Sequence, residues 1–275
     1  MRRGRVLVAL VLAVVSLFGY YGVRQFNPVT GETQHISLSR DQEIALGLQS
    51  APLMAEQFGG LDPDGAAQAA VSAVGERVVR QSIAGETQYE FSFHLLRDPA
   101  TVNAFALPGG PIFITRGLFQ RFENEAQLAG VLGHEIGHVI ARHSAEHLAK
   151  SQLAQGLINA VGTAGSDGMD NGQRAAQAAA VVAQMVQLRY GRGDELQADT
   201  LGVRLMSEAG YDPRALLEVM RILAEAGGSS RQPEFLSSHP NPGNRQELIR
   251  RAIASHFPDG VPRNLTLGRG IQPPQ

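Results

Sequence analysis

The stretch His134-Glu135-Ile136-Gly137-His138 puts two imidazoles and a carboxylate within five residues. On an α-helix, histidines four apart lie one turn above each other on the same face, so both rings can reach one tetrahedral metal ion. Glu135 projects about a quarter turn away, at ~100° per residue. From there its carboxylate can take a proton from a water in the metal's open position and pass it to a leaving amine. The spacing therefore suits metal-assisted hydrolysis of an amide bond. The bare pattern arises by chance in roughly one chain in a hundred of this length, so the remaining ligands must decide its meaning.

A catalytic zinc takes three protein ligands and keeps a fourth position open. One known arrangement adds a third histidine ten residues after the first, beyond a glycine that breaks the helix, but Ala141 and Ser144 stand at those positions. His143 and His147 follow nine and thirteen residues after His134. On a helix continuing at about 100° per residue they turn to the other side, and they are expected as surface or second-contact histidines. The alternative source is Glu195-Leu196-Gln197-Ala198-Asp199, with two acids at i and i+4 on one helical face. Glu195 is expected to bind zinc, and Asp199 to hydrogen-bond the second ring nitrogen of a histidine ligand, fixing its tautomer. An exposed helix with unrelated acids would show the same spacing; the upstream motif favours the ligand assignment.

These groups need rigid elements to hold them. Asn124 is a good N-cap with Gln127 three residues on, and Leu128, Val131, Leu132, Ile136, Val139 and Ile140 form the apolar stripe of a largely buried helix. Gly130, Gly133 and Gly137 line one side of it, which predicts close approach of another backbone, from a packed helix or from a substrate strand. Upstream, a helix is expected through Ile44, Leu46 and Leu48, and another through Val71, Val74 and Val78. Tyr89, Phe91, Phe93 and Leu95 alternate as in a strand that ends at Asp98-Pro99. A second strand, Ile112 to Thr115, follows the turn Pro108-Gly109-Gly110-Pro111, giving a small antiparallel sheet. Downstream, Ser151 to Gln187 reads as two helices separated by Gly162-Thr163-Ala164-Gly165-Ser166-Asp167-Gly168, either a flap or a plain interhelical loop. A further helix through Leu216, Val219, Met220 and Leu223 lies between Asp212-Pro213 and Gly227-Gly228.

The 275 residues are 43% hydrophobic, enough to fill a core, and the formal net charge of -2 argues against a nucleic-acid binder. With no cysteine, disulfides and thiolate ligands are excluded, so a metal must sit on His and carboxylate. Arg2, Arg3 and Arg5 precede an uncharged run from Val6 to Val23. That run is just long enough to span a bilayer and lacks a clear small-x-small cleavage site, so an uncleaved anchor is favoured over a signal peptide. The arginines should stay in the cytoplasm, placing the body on the far side of the membrane. The expected segments are residues 1–26 as anchor or signal peptide, 27–38 as linker, 39–257 as catalytic domain, and 258–275 as an irregular tail.

Taken together, the residues resemble the zinc metallopeptidases of family forty-eight, which include the CAAX prenyl protease, HtpX and BepA. The likeness runs from about Ser39 to His256. It rests on His134-Glu135-Ile136-Gly137-His138 with Arg142-His143, on Glu195-Leu196-Gln197-Ala198-Asp199, and on Ser238-His239-Pro240 with Arg245. The resemblance implies an α+β, mainly helical zincin-type domain of the glutamate-ligand class. It implies one zinc ion on His134, His138 and Glu195, with Glu135 as base and Asp199 supporting the site, a position also described in the family as a proton donor. Asn103-Ala104-Phe105-Ala106-Leu107-Pro108-Gly109-Gly110 is similar to the family's segment beside the cleft, where a substrate could add as an extended strand. His239 resembles a position that occupies the open coordination site or faces the substrate, where an imidazole could block water or stabilise an oxyanion. Arg245 is expected to position it. A plain turn at His239-Pro240 is the simpler alternative.

The chain departs from HtpX and the prenyl protease in having at most one membrane segment, and it shows no repeat of the kind that BepA-like proteins use for partners. The function expected is zinc-dependent endoproteolysis of extended or misfolded envelope proteins, in quality control. The single-pass chain would sit in a bacterial inner membrane with its catalytic domain in the periplasm, or be soluble there after signal cleavage. The competing expectation is a chaperone-like binder whose zinc is closed by His239.

Overall fold

The computed structural model describes residues 2–163, 190–227, 234–239 and 244–271. The part of the expected flap beyond Thr163, the second helix expected up to Gln187, Gly228 and Pro240 lie outside these residues. The chain divides into two compact units, Met1–Ser39 with Arg142–Leu188, and Arg40–Ala141 with Arg189–Gln275.

In the first unit, helix α1 (Arg2–Gly22) packs against α6 (His143–Thr163). Between them a Cβ on Gly156 would lie 2.4 Å from Ser16 Oγ, so a larger residue there would have to displace the Ser16 side chain. Residues 27–38, expected as a linker, contain the return strand of a hairpin. Strands β1 (Gln25–Asn27) and β2 (Glu32–Gln34) pair antiparallel around a turn in which Gly31 takes φ 72°. Arg142 ties this hairpin to the start of α6, donating to Gln25 Oε1 at 2.5 Å and to the Leu38 carbonyl at 2.9 Å. Among the described residues no helix is long and apolar enough to cross a membrane. The side of α1 turned from α6 nevertheless exposes Val6, Leu7, Leu10, Val15 and Phe18.

The second unit holds the zinc-motif residues. Helices α2 (Arg40–Gln57) and α3 (Gly65–Arg80) precede a three-stranded sheet of β3 (Ser92–Leu96), β4 (Ala104–Ala106) and β5 (Pro111–Thr115) in the order β3-β5-β4. The α+β class holds, but the sheet is mixed rather than antiparallel. β3 runs parallel to β5, Phe93 opposite Ile112, and only β4 is antiparallel to it, Phe105 opposite Phe113. The turn at Pro108 to Gly110 reverses the chain after β4, a strand not anticipated as a partner, and so cannot pair β3 with β5 as a hairpin. β4 is left as an edge strand.

After the short α4 (Arg116–Phe119) comes the motif helix α5 (Glu125–Ile140), buried along nearly its whole length, as an all-round apolar helix should be. Asn124 caps it by accepting from the Gln127 N–H at 3.1 Å. Gln127 reaches back one residue further than a standard capping box, accepting from the Glu123 N–H at 2.7 Å. Two more free N–H groups at this end, those of Glu125 and Ala126, donate to the carbonyls of Arg269 and Leu267 at 2.9 Å each. The described part of the C-terminal tail, up to Ile271, thus serves as a strap over the helix start. α5 stops at Ile140, because Arg142 adopts φ 61°, and α6 begins afresh. The expectation of a helix continuing through His143 and His147 is corrected here, and His143 is buried rather than at the surface.

Helix α7 (Arg192–Glu208) lies along α5. The glycine stripe serves this contact. A Cβ on Gly133 would sit 3.3 Å from the Gly202 carbonyl oxygen, and one on Gly137 3.1 Å from that of Ala198. Tight helix packing, not room for a substrate strand, is what these glycines provide. Helices α8 (Ala215–Gly227), α9 (Glu234–Ser238) and α10 (Arg245–His256) complete the unit.

Candidate active site

The i and i+4 spacing on α5 brings His134 Nε2 and His138 Nε2 to 3.0 Å from each other. The His134 Nδ1 faces Asp199 Oδ1 at 2.9 Å. A carboxylate there requires the proton on Nδ1, which leaves Nε2 as a bare lone pair. α7 adds Glu195, whose Oε2 lies 3.6 Å from His134 Nε2 and whose Oε1 lies 3.4 Å from His138 Nε2. His239, just past α9, adds Nδ1 at 2.9 Å from Glu195 Oε1 and 3.3 Å from His134 Nε2.

The donor atoms of His134, His138, Glu195 and His239 lie within 4.8 Å of one another, all buried. Zinc bonds of ~2.0–2.1 Å place neighbouring tetrahedral ligands about 3.3 Å apart. The separations above, 2.9 to 3.6 Å, bracket that value. Lone pairs converging in a buried space need a cation between them, and Glu195 Oε2 has no hydrogen bond, although Arg245 Nη1 lies 3.1 Å away without alignment. The donor set fits zinc.

Around the four donors the electrostatics divide by residue. Burial pushes the Glu135 carboxyl up, only partly offset by His239 and His134, and neither of its oxygens has a hydrogen-bond partner. A buried carboxylate that holds its proton more readily than a free one is suited to proton transfer. Burial also pushes Glu195 up, but His239 and His138 outweigh it and hold the group ionised well below the usual range. For Asp199, burial is outweighed by Arg245 and His134, and its carboxyl stays low. Burial pushes His239 down, and the carboxylates of Glu195 and Glu135 more than reverse this.

All six residues expected at the site are brought together, with at most 1% of each exposed. His143 and His147 stay outside the cluster. Arg245 has a different partner from the one expected. It grips Asp199 through Nε–Oδ2 and Nη2–Oδ1, both 2.8 Å, instead of holding His239. His239 is positioned by rings, with Phe235 stacked on it at 4.5 Å between centroids. Tyr190 stacks on His138 at 4.0 Å. Sequence inspection missed both rings. Phe235 stood four residues before His239, a helical spacing that could have flagged it, whereas Tyr190 carried no signal. The segment Asn103 to Gly110 supplies the edge strand β4 and a turn packed on α2, where a Cβ on Gly109 would lie 2.3 Å from Ile44 Cα. The chain just before β4 also supports α9, since Val102 O accepts the Phe235 N–H at 3.2 Å.

Residues 66–253 match the family model described as "Peptidase family M48". The mitochondrial metalloendopeptidase OMA1 of Arabidopsis thaliana is 34% identical over 168 residues, covering 61% of this chain and 33% of that protein. The beta-barrel assembly-enhancing protease of Yersinia pestis is 31% identical over 231 residues, 79% of this chain and 45% of that one. Its counterpart in Escherichia coli K12 is 33% identical over 181 residues, 64% and 36%. The chain therefore spans between a third and a half of the length of these relatives.

Proposed function

The chain belongs to peptidase family M48, and from that membership we propose that it is a zinc-dependent metalloendopeptidase held in a latent state by His239. The observation that carries this is the convergence of His134 Nε2, His138 Nε2 and Glu195 on one buried point beside the Glu135 carboxylate, whose oxygens accept no hydrogen bond. His134, His138 and Glu195 hold one zinc ion. When bound, zinc polarises a peptide carbonyl and makes water acidic near neutral pH. Glu135 takes the proton from the attacking water and returns it to the departing amine. Asp199 keeps the His134 Nε2 lone pair directed inward. His239, with its Nδ1 2.9 Å from Glu195 Oε1, would compete for the bound metal as a fourth donor and, turned away from it, could face a developing oxyanion.

The substrates we propose are extended or misassembled envelope polypeptides, pairing with the outer edge of β4. The name shared by two of the relatives, beta-barrel assembly-enhancing protease, supports an envelope role in protein quality control. The catalytic domain runs from residue 39 to 257, followed by the irregular tail. α1 anchors the chain in the bacterial inner membrane, supported by its exposed apolar side and its leading arginines, with the catalytic domain in the periplasm. A soluble periplasmic form would follow if the first 26 residues were cleaved.

The second function, a chaperone-like binder with permanently closed zinc, is favoured by one observation, the 2.9 Å contact of His239 Nδ1 with Glu195. Intact Glu135 favours the enzyme, since a binder needs no base. Treating the purified chain with a zinc chelator should abolish cleavage of an unfolded protein, and adding zinc back should restore it. Cleavage indifferent to chelation would overturn the proposal.

A further inference from the structure

A cavity of about 250 Å³ lies between α1, α6 and the chain after β2, and takes no part in the chemistry above. It is smaller than the ~300–1,000 Å³ of sites that enclose whole small molecules. Gly19, Tyr20 and Val23 of α1 face Ala149 and Leu153 of α6 across it, with His35 at one side. Three of the polar atoms on its walls have partners. Ser16 Oγ donates to the Leu12 carbonyl at 2.8 Å, Ser37 Oγ to Gln152 Oε1 at 3.3 Å, and His35 Nδ1 lies 3.2 Å from the Tyr20 carbonyl. The Tyr20 ring stacks on His35 at 4.8 Å, and Tyr21 meets His35 edge-on at 5.5 Å. An occupant is thus offered mostly carbon.

Gly19 keeps the space open. A Cβ there would meet nothing within 4 Å, yet glycine costs a helix interior about 1 kcal/mol relative to alanine. The cavity lies near the end of α1 that carries Tyr20 and Tyr21, a residue type that settles at a membrane interface. Phe18 and Tyr21, each next in sequence to a lining residue, are exposed.

We propose that this cavity binds part of an acyl chain of a membrane phospholipid, lodging it between the anchor helix and the helix that follows the zinc motif. The inference rests on the membrane position of α1 proposed above. The test uses the full-length chain with vesicles of phosphatidylethanolamine and phosphatidylglycerol, doped with a phosphatidylcholine bearing a photoreactive group on its acyl chain. Flotation reports membrane association separately from labelling. Labelled peptides should include Ala149 to Leu153 as well as the outward face of α1. Gly19→Leu, which fills the cavity and favours the helix, should cut labelling at Ala149 to Leu153 at least about fivefold while leaving that of Val6 to Phe18 unchanged. Ala149→Met, from the opposite wall, should do the same if Gly19→Leu disturbs folding. A chain that floats but is labelled only on Val6 to Phe18, or whose cavity labelling survives both variants, overturns the acyl site and spares the anchor. A chain that does not float overturns the membrane position of α1 and the lipid occupant with it.

Discussion

Arg245 holds Asp199 through two parallel hydrogen bonds of 2.8 Å, and Asp199 in turn meets His134 Nδ1 at 2.9 Å. The order of a zinc-facing histidine therefore depends on a guanidinium that does not touch the expected reacting atoms. Arg245→Ala should leave a buried anion without its partner, costing about 3–5 kcal/mol in urea unfolding. Asp199→Ala, by freeing the His134 ring, should weaken zinc binding roughly 10–100-fold in competition with a chelator. Wild-type stability in the first variant and wild-type zinc affinity in the second would show that this relay positions nothing.

The latency proposed for His239 predicts a gain of activity on its removal. His134, His138 and Glu195 remain in His239→Ala, so zinc should stay bound. Cleavage of an unfolded protein should rise about tenfold, equivalent to ~1.4 kcal/mol. Equal silence of native and variant chains would favour the binding function instead.

The glycine contacts between α5 and α7 give a packing prediction. A Cβ on Gly202 would lie 3.1 Å from the backbone N of His134. Gly202→Leu must push the two ligand-bearing helices apart, with an overpacking cost of about 1–3 kcal/mol. Its zinc affinity should fall with its urea midpoint. A variant that loses neither would mean that the helix pair yields without disturbing its ligands.

Acid sensitivity should appear far from the zinc residues. Arg116 donates to Asp62 through Nε at 2.8 Å and Nη2 at 2.5 Å, and these hydrogen bonds hold the Asp62 carboxyl below its ordinary value of 3.8. The folded state thus binds this proton less readily than the unfolded chain, and the stabilisation is complete above 3.8 and lost as pH falls through the lower folded value. Arg116→Gln should lower the thermal midpoint at pH ~7, and the gap should close as pH drops below ~3.8. A gap that persists unchanged in acid would point to lost packing instead.

Much of the site was legible because helical spacing is local. His134 and His138, Glu195 and Asp199, and the Asn124 cap each declare themselves within five residues of chain. What escaped depends on distant partners. The parallel pairing of Phe93 with Ile112 rests on an edge strand of three residues, too short to show periodicity. The break at Arg142 uses a left-handed conformation that ordinarily marks glycine, held here by side-chain bonds to Gln25 and Leu38. The strap from Leu267 to Arg269 works through backbone carbonyls, which any sequence supplies.

The most direct measurement concerns Glu135, whose two oxygens are buried and accept no hydrogen bond, with His239 Nε2 3.6 Å from Oε1. Glu135→Gln keeps the shape of the side chain and removes its capacity to accept the proton. Zinc content and peptide hydrolysis should be measured on the same preparation, in the His239→Ala background. One bound zinc with hydrolysis reduced at least about 100-fold, the lower bound for losing a general base, is the predicted result. Full zinc with undiminished cleavage would contradict the assignment of this site as a metallopeptidase centre.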